Sequence, residues 1–287
     1  MKKLGPVHYC FGIEFKQDTN GPIQMTQRKY VEDTLIRFGM KDCKPIITPL
    51  DGNKNMKLPK GDEELYENYP YQNLIGCLMY LAVSTRPDIA YAVSALSQFN
   101  VRHGMEHWNA AKRVLRYQKA TLNYGLTSKK TGEDLVGYVD ADWAGCPDDR
   151  RSYNGYAFIF GNATVSWEAK KQRTVALSSA ESEYMAMAEG AKEAIYLQNL
   201  LEEFGIQKRS TVLYNDNQGA QALVKNPIFH ARTKHIDVRH HFVRDAFESK
   251  LIEPTFLRTE EMPADILTKS LFGPKHNNCT KMLSVNV

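Results

Sequence analysis

Residues 134–145 read DLVGYVDADWAG. The first part alternates as a short strand does, and then two aspartates, Asp140 and Asp142, interrupt it among small and apolar neighbours. A carboxylate buried in such company is costly unless something pairs with it. What is held there, and by which aspartate, decides how the surrounding elements assemble.

Working outward, GYAFIFG (155–161) and TVSWEA (164–169) are further strand candidates, separated by turn-like residues. Residues 178–205 form a long helix, capped by Ser178 or Ser179 and stopped by Gly205. STVLYND (210–216) is a strand whose end carries Asp216, and NQGAQALVKN (217–226) is a short helix. HIDVRHHFVRDAFES (235–249) is a second helix, IEPTFLR (252–258) a fifth strand, and PADILTKSL (263–271) opens a last helix with Pro263 in its first turn. The order β-β-β-α-β-α-α-β-α predicts a mixed α/β sheet with helices on its faces. The polar residues 273–287 are expected to be a flexible tail.

Upstream, residues 7–15 (VHYCFGIEF) read as a strand, TNGPI as a turn and IQMT as the return strand. Residues 26–40 read as a helix with Thr26 as its cap, an apolar stripe at Tyr30, Leu35 and Phe38, and a stop at Gly39. Residues 44–69 are polar, carry Pro45, Pro49 and Pro59, and read as a linker or long loop. Two apolar helical segments follow, YQNLIGCLMYLAVST and PDIAYAVSALSQF. In the next helix, Lys112, Arg116 and Lys119 stand at i, i+4 and i+7, with Arg113 at the flank. Such a stripe suits an ordinary solvated face or contacts to phosphates.

Composition sets outer bounds. Hydrophobic content of 43% and charged content of 24% in 287 residues fit a globular chain of one large or two ordinary domains. No run approaches the ~18 apolar residues that a membrane helix needs, so no membrane partner is expected. Five widely spaced cysteines without a C-x-x-C pair argue for reduced thiols and an intracellular, non-secreted chain. Residues 1–133 carry 19 Lys+Arg against 13 Asp+Glu, while residues 134–287 carry 18 against 20. A basic front beside a carboxylate-rich back suggests a polyanion partner for the first. No G-x-G-x-x-G or P-loop occurs. Trp143 and Trp167 read as core aromatics.

The acids of the back half fall at telling places. Asp140 and Asp216 end strands, Glu183 lies one turn into the long helix, and Asp265 starts the last helix. Acids at strand ends and helix starts of one sheet can converge although far apart in sequence. Converging carboxylates repel unless a cation lies between them. Oxygen-only ligands suit Mg²⁺ or Mn²⁺, and two such ions can bind both the attacking water and the leaving oxygen of a phosphodiester. Each acid also has a plain reading: a strand end for Asp140, a helix-dipole partner for Glu183 and Asp265, and an N-cap for Asp216.

The motifs YVDADWAG, GYAFIFG, VSWEAKKQRTVALSSAESEYMA, NDNQGAQAL, FHARTKHIDVRHHFVRD and ADILTKSL resemble the ribonuclease H domain of copia-type retrotransposon polyproteins. KKLGPVHYCFGIEF, YQNLIGCLMYLAVSTRPDIAYAVS and HWNAAKRVLRYQKATLNYGL resemble the end of the same polyprotein's reverse transcriptase and its connection. The resemblance implies an α/β fold, a ribonuclease H-like mixed five-stranded sheet with flanking helices, preceded by a mostly helical thumb and connection remnant. It implies a reverse transcriptase segment at 1–130 without the polymerase acids, and a ribonuclease H-like domain at 134–272. The implied catalytic and metal-binding acids are Asp140, Glu183, Asp216 and Asp265, holding two Mg²⁺ ions with Mn²⁺ as a substitute. Asp140 and Asp216 are implied as the shared ligands, with Glu183 and Asp265 each favouring one ion. Glu181 lies about 200° from Glu183 around the helix, so both cannot line one site equally. Asp142 is expected at the mouth of the site, more exposed and less essential.

The implied partners are an RNA–DNA hybrid, whose backbone the helix with Lys112, Arg113, Arg116 and Lys119 would contact, and the rest of a Pol polyprotein. The oligomeric state is left open. The implied location is the cytoplasm, in virus-like particles, or the nucleus. The loop RTEEMPAD lacks the histidine that many cellular ribonucleases H place there; His240 and His241 lie on the preceding helix and read as structural or solvent-facing, with Glu260 or Glu261 as acids near the site. The rival reading is a truncated or co-opted fragment that binds nucleic acid or protein without cutting. An integrase order, Asp-Asp-Glu, fits less well, because here the glutamate comes second.

Overall fold

A tight turn breaks the first apolar run. In the structure, a computed structural model that describes residues 5–17, 21–52, 57–58, 69–225 and 237–286, residues 7–15 are two strands and not one. Strands β1 (Tyr9–Cys10) and β2 (Ile13–Gln17) fold back on Phe11 and Gly12, at φ 49° and 75°. Glycine takes that backbone at little cost. Strand β3 (Ile23–Thr26) returns along β2 as a hairpin, with Glu14 opposite Thr26 and Gln17 opposite Ile23. Helix α1 (Arg28–Arg37) starts from Gln27, which makes no side-chain cap bond, so Thr26 is not its cap. Of the stretch read as a linker, residues 53–56 and 59–68 lie outside the described residues. Helix α2 (Tyr71–Ser84) buries Leu74, Leu78 and Leu81 and exposes Val83, so it is buried on one side. A 3₁₀ turn at Pro87–Ile89 leads into α3 (Ala90–Ser97), followed by α4 (Met105–Ala120) and β4 (Gly125–Ser128).

The chain separates into two compact units, one of Met1–Thr131, Gly161–Ala163 and Ser270–Val287, the other of Gly132–Phe160 and Thr164–Lys269. The second unit is built on β5 (Val136–Ala141), β6 (Tyr153–Phe160), β7 (Ala163–Lys171), β8 (Thr211–Asn215) and β9 (Ile252–Phe256). Their order is β7-β6-β5-β8-β9; β6 runs antiparallel to β5, and β8 and β9 add in parallel. This is the expected mixed five-stranded sheet. Helices α5 (Ser179–Glu203), α6 (Gln218–Lys225) and α7 (Asp237–Glu248) flank it and share one apolar core of Val139, Phe158, Met187, Ala191, Leu213, Val224 and Val243. Residues 226–236, including His235 and Ile236 of the helix read at 235–249, lie outside the described residues. The segment after β9 is a 3₁₀ turn at Pro263–Leu267, not the start of an α-helix.

The expected flexible tail is ordered. Helix α8 (Gly273–Met282) and strand β10 (Val285–Asn286) belong to the first unit, where β10 pairs antiparallel with β4. Few apolar residues announce this, but His276, Cys279, Leu283 and Val285 are all buried. His276 lies against a buried fork: Arg86 donates to both Asp88 carboxylate oxygens at 2.9 and 2.7 Å, and the His276 Nε2 contacts the Asp88 carbonyl at 3.3 Å. The sheet of this unit runs β1-β2-β3-β4-β10.

One close approach in the second unit fixes where the Pro263–Leu267 turn sits. A Cβ on Gly155, opposite Asp140 in the β5–β6 register, would stand 2.6 Å from the Leu267 Cβ and 2.8 Å from the Thr268 Cγ2. Overpacking of this kind costs about 1–3 kcal/mol, more than the ~0.5–1 kcal/mol that alanine recovers in backbone entropy. Gly155→Ala is therefore expected to lower the unfolding free energy by roughly 1–2 kcal/mol, as read from urea denaturation; an unchanged or raised midpoint would mean that the turn has room to move.

Candidate metal centre

Asp140 is 1% exposed near the end of the central strand β5. The strand runs one residue past it, to Ala141, so the chain is still extended where the carboxylate leaves it. The Thr268 hydroxyl, just after the Pro263–Leu267 turn, donates to Asp140 Oδ2. Glu183 lies in the first two turns of α5 and is 6% exposed. Its Oε2 accepts from the Ala141 backbone N–H at 3.2 Å and from the Asn215 Nδ2 at 2.9 Å. Asn215 is itself fully buried at the end of β8 and also donates to the Val139 carbonyl at 3.3 Å. One amide thus ties both central strands to the helix glutamate.

Asp216 follows Asn215 and does not cap α6. That task falls to Asn217, whose Oδ1 accepts from the Ala220 N–H at 2.9 Å. The Asp216 carboxylate is left to turn inward, with Oδ2 accepting from the Thr259 hydroxyl at 2.6 Å. Glu181, the other helix acid, closes the start of α5 instead: the Ser178 hydroxyl accepts from Glu181 N–H at 3.2 Å, and the Glu181 carboxylate accepts from Leu177 N–H at 2.8 Å. Asp140, Glu183 and Asp216 each place one carboxylate oxygen within 4.8 Å of the others.

Asp265, the fourth expected acid, is not among those three. It is fully buried, and Lys269 Nζ pairs with its Oδ1 at 2.6 Å and stands 3.6 Å from Asp140 Oδ2. Burial pushes the Lys269 ammonium down, yet the Asp140 and Asp265 carboxylates outweigh it and hold the lysine above its ordinary value. On Asp140 and Glu183 burial acts in the opposite direction. Burial pushes Asp140 up to about 7; the Lys269 charge opposes this, and the Asp265 and Asp216 charges add to it. Glu183 lies well above its ordinary value, from burial first and then from Asp140 and Asp216. An oxygen-only donor set of three crowded acids with one nearby lysine fits a hard divalent cation.

Other expected residues stand elsewhere. Asp142 is more exposed than Asp140, as expected, but still half-buried: its carboxylate accepts from the Tyr153 N–H, and burial pushes it up to about 6. It holds the turn that follows β5. Trp143 is not a core residue; it is 57% exposed, with its indole N–H on the Ala176 carbonyl at 3.3 Å. The basic stripe of α4 makes contacts within its own unit. Arg116 and Lys119 donate to the backbone carbonyls of Lys44, Lys41 and Cys43 at 2.7 Å, Arg113 donates to Thr48 at 2.9 Å, and Lys112 stands over the Trp108 ring at 5.6 Å. A loop without its own ladder needs donors for its carbonyls, and this stripe provides them. His241 is exposed, and the side chain of His240 lies outside the described residues.

Lys269, Thr268, Asn215 and Thr259 escaped the sequence reading. The i, i+4 spacing of Asp265 and Lys269 in DILTK was a usable signal; Thr259 carries none, since only the fold brings it to Asp216.

A carboxyl whose folded pKa is raised contributes stability below its unfolded value and loses it as pH rises through the folded value. For Asp140 that window runs from the usual carboxylate range to about pH 7. Metal-free protein should therefore melt several degrees lower at pH 8 than at pH 5, and Asp140→Asn should flatten that decline. Thermal melts in chelator at the two pH values measure this; equal slopes for both proteins would show that burial at Asp140 carries no such cost.

No family model matches the chain. The retrovirus-related Pol polyprotein from transposon TNT 1-94 of Nicotiana tabacum is 40% identical over 292 residues, covering 100% of this chain and 22% of the polyprotein. The secreted RxLR effector protein 161 of Plasmopara viticola is 54% identical over 132 residues, 46% of this chain and 93% of that protein. A solved ribonuclease H1 from compost aligns with 47% of this chain and 92% of its own at 13% identity and a TM-score of 0.37, too low a likeness to carry weight. The chain spans about a fifth of the length of the curated transposon polyproteins that match it from end to end. At this identity along its whole length, the chain belongs to the retrovirus-related Pol polyproteins of transposons.

Proposed function

We propose that the second unit is a ribonuclease H, a metal-dependent endonuclease that hydrolyses the RNA strand of RNA–DNA hybrids, and that the first is the closing segment of a reverse transcriptase with its connection. The convergence of Asp140, Glu183 and Asp216 at the strand ends of a mixed sheet carries the reading. These three acids, with Asp265 beside them, would hold Mg²⁺, or Mn²⁺ in its place. When bound as a pair, such ions supply an activated water and charge stabilisation for the leaving 3′-oxygen.

The protein's own groups prepare this arrangement. Asn215 and the Ala141 N–H hold Glu183 with one oxygen fixed, Thr268 orients Asp140, and Thr259 orients Asp216. A hybrid would be selected through its shape and its 2′-hydroxyls and not through base identity. Because three residues of the α4 stripe already hold residues 41–48, backbone contact from that helix does not support the reading. Among the described residues, no helix is long and apolar enough to cross a membrane; an intracellular site of action, close to the hybrid, suits the proposal.

A second reading has one specific observation behind it. The secreted effector, of which this chain covers 93%, is a relative named for a different role. A fragment that binds nucleic acid or protein without cutting would fit that precedent.

One assay decides between the two. Labelled hybrid with Mg²⁺ should be cut in its RNA strand, with single-stranded RNA and duplex DNA left intact. Asp140→Asn should lose more than about a hundredfold in rate, since metal stabilisation of the transition state is worth several kcal/mol. Asp142→Asn keeps an oxygen for the Tyr153 N–H and should retain far more activity. Hybrid that is bound but never cut, or cut equally by Asp140→Asn, would favour the non-catalytic reading.

A further inference from the structure

The turn after β5 displays an aromatic ring that the metal centre does not use. Trp143 is the most exposed of the three tryptophans, at 57%, whereas Trp108 is buried and Trp167 partly so. Hydrogen bonds hold the ring's surroundings on several sides. The Asp142 carboxylate accepts from the Tyr153 N–H, the Ala144 N–H donates to the Ser152 hydroxyl at 3.0 Å, and the Trp143 indole N–H donates to the Ala176 carbonyl at 3.3 Å. The last of these occupies the polar edge of the indole and ties it to the loop before α5. Either side of Ala176, that loop holds out Val175 and Leu177, 46% and 74% exposed. Leu177 is fixed there by its own N–H, which donates to the Glu181 carboxylate at 2.8 Å. A ring and two aliphatic side chains, exposed on backbone that is pinned in place, form an apolar patch of the kind that marks a contact surface.

The patch adjoins the metal-binding acids. Trp143 follows Asp140 by three residues, at most about 11 Å of extended chain. Leu177 precedes the first turn of α5, and Glu183 stands about 8 Å further along that helix. Such distances are about three nucleotide steps of a stacked strand. Bases inside a duplex stack on one another and offer no face to a ring. An unpaired base does offer one, and its stacking on an aromatic tolerates any sequence. Arg173, exposed in the same loop, offers a cation to a backbone phosphate, which favours a nucleotide over an apolar protein segment as the occupant. We propose that Trp143, with Val175 and Leu177 beside it, is a stacking platform for an unpaired nucleotide of the strand that flanks the hybrid. The second unit then prefers hybrids that open into single strand next to the metal centre. The inference rests on the ribonuclease H reading of that centre and adds a substrate preference to it.

Equilibrium binding of the full chain to labelled RNA–DNA hybrids, with Ca²⁺ as the only divalent ion, tests this. Two hybrids share the same duplex; one is blunt, and the other is forked, with a few unpaired nucleotides on both strands at each end. Wild type should bind the forked hybrid about tenfold more tightly than the blunt one. Trp143→Ala should abolish that preference by weakening forked binding alone, whereas Trp143→Phe should keep most of it. Forked hybrid should also quench tryptophan emission in wild type and leave that of Trp143→Phe unchanged. Trp143→Ala should melt close to wild type, as surface substitutions do. If it does not, Leu177→Ala, which keeps the indole and its bond to Ala176, carries the test and should lose part of the preference. Equal wild-type affinity for the two hybrids, binding of neither, or an equal loss on both in Trp143→Ala would overturn the platform. Cleavage in Mg²⁺ separates this inference from the reading beneath it. Hybrid that is cut without any forked preference removes the platform alone, and a forked preference in a protein that cuts no hybrid removes the ribonuclease reading alone.

Discussion

The second unit is organised around like charges forced together. Three carboxylates within 4.8 Å, two of them buried, are unfavourable by themselves. They persist because the surrounding fold over-determines each one. Asp140 is carried on the central strand of the sheet, Glu183 on the opening turns of a 25-residue helix, and Asp216 at the end of the neighbouring parallel strand. None can move without disturbing an element that is packed elsewhere. Neutral donors then fix the carboxylate orientations without cancelling their charge, and that unspent charge is what a hard cation would use.

The sheet order makes this convergence possible. Antiparallel β6 and parallel β8 both border β5, so the end of β5 meets the end of β8, not its start. Helix α5 can lie close to β5 because its own Gly190 faces the strand, where a Cβ would come within 2.4 Å of Val139 Cγ1. Gly155 does the same for the turn that brings Asp265, Thr268 and Lys269 in. Two missing side chains, neither near enough to bind anything, thus set the distance at which the acids and the lysine meet.

Much of this was legible in the sequence because periodicity and motif spacing are local. The strand in DLVGYVD, the long helix from Ser178 and the order of elements follow from residues within a few positions of each other, while the preference for Glu183 over Glu181 is what the resemblance implied. The misreadings have a common physical cause. Trp143 lies in a turn whose exposure depends on Ala176, remote in sequence. The intrachain partners of the α4 stripe went unseen because they are backbone carbonyls at 41–44, which no side-chain pattern reveals. The C-terminal helix looked loose because its anchors are few and spaced widely, His276 and Cys279 among polar neighbours. Phe11–Gly12 looked like strand because β-propensity does not report a left-handed pair of residues.

The two units treat buried acids in opposite ways, and the contrast bears on what each acid is for. Asp88, in the first unit, is fully buried, and burial alone would raise its carboxyl. The forked Arg86 guanidinium and the Tyr117 hydroxyl at 2.7 Å outweigh that and hold it below the usual range. That acid is matched within its own unit, and removing either partner of such a buried pair costs about 3–5 kcal/mol. Asp140 and Glu183 are pushed up instead, by burial first and then by neighbouring carboxylates that the single lysine does not offset. Burial does not separate the two cases, since both are buried. The ratio of acids to cations does. Where the chain provides a cation for every acid, the charge is structural; where it withholds them, the fold bears a cost that protonation relieves at low pH and that a bound cation would relieve at higher pH.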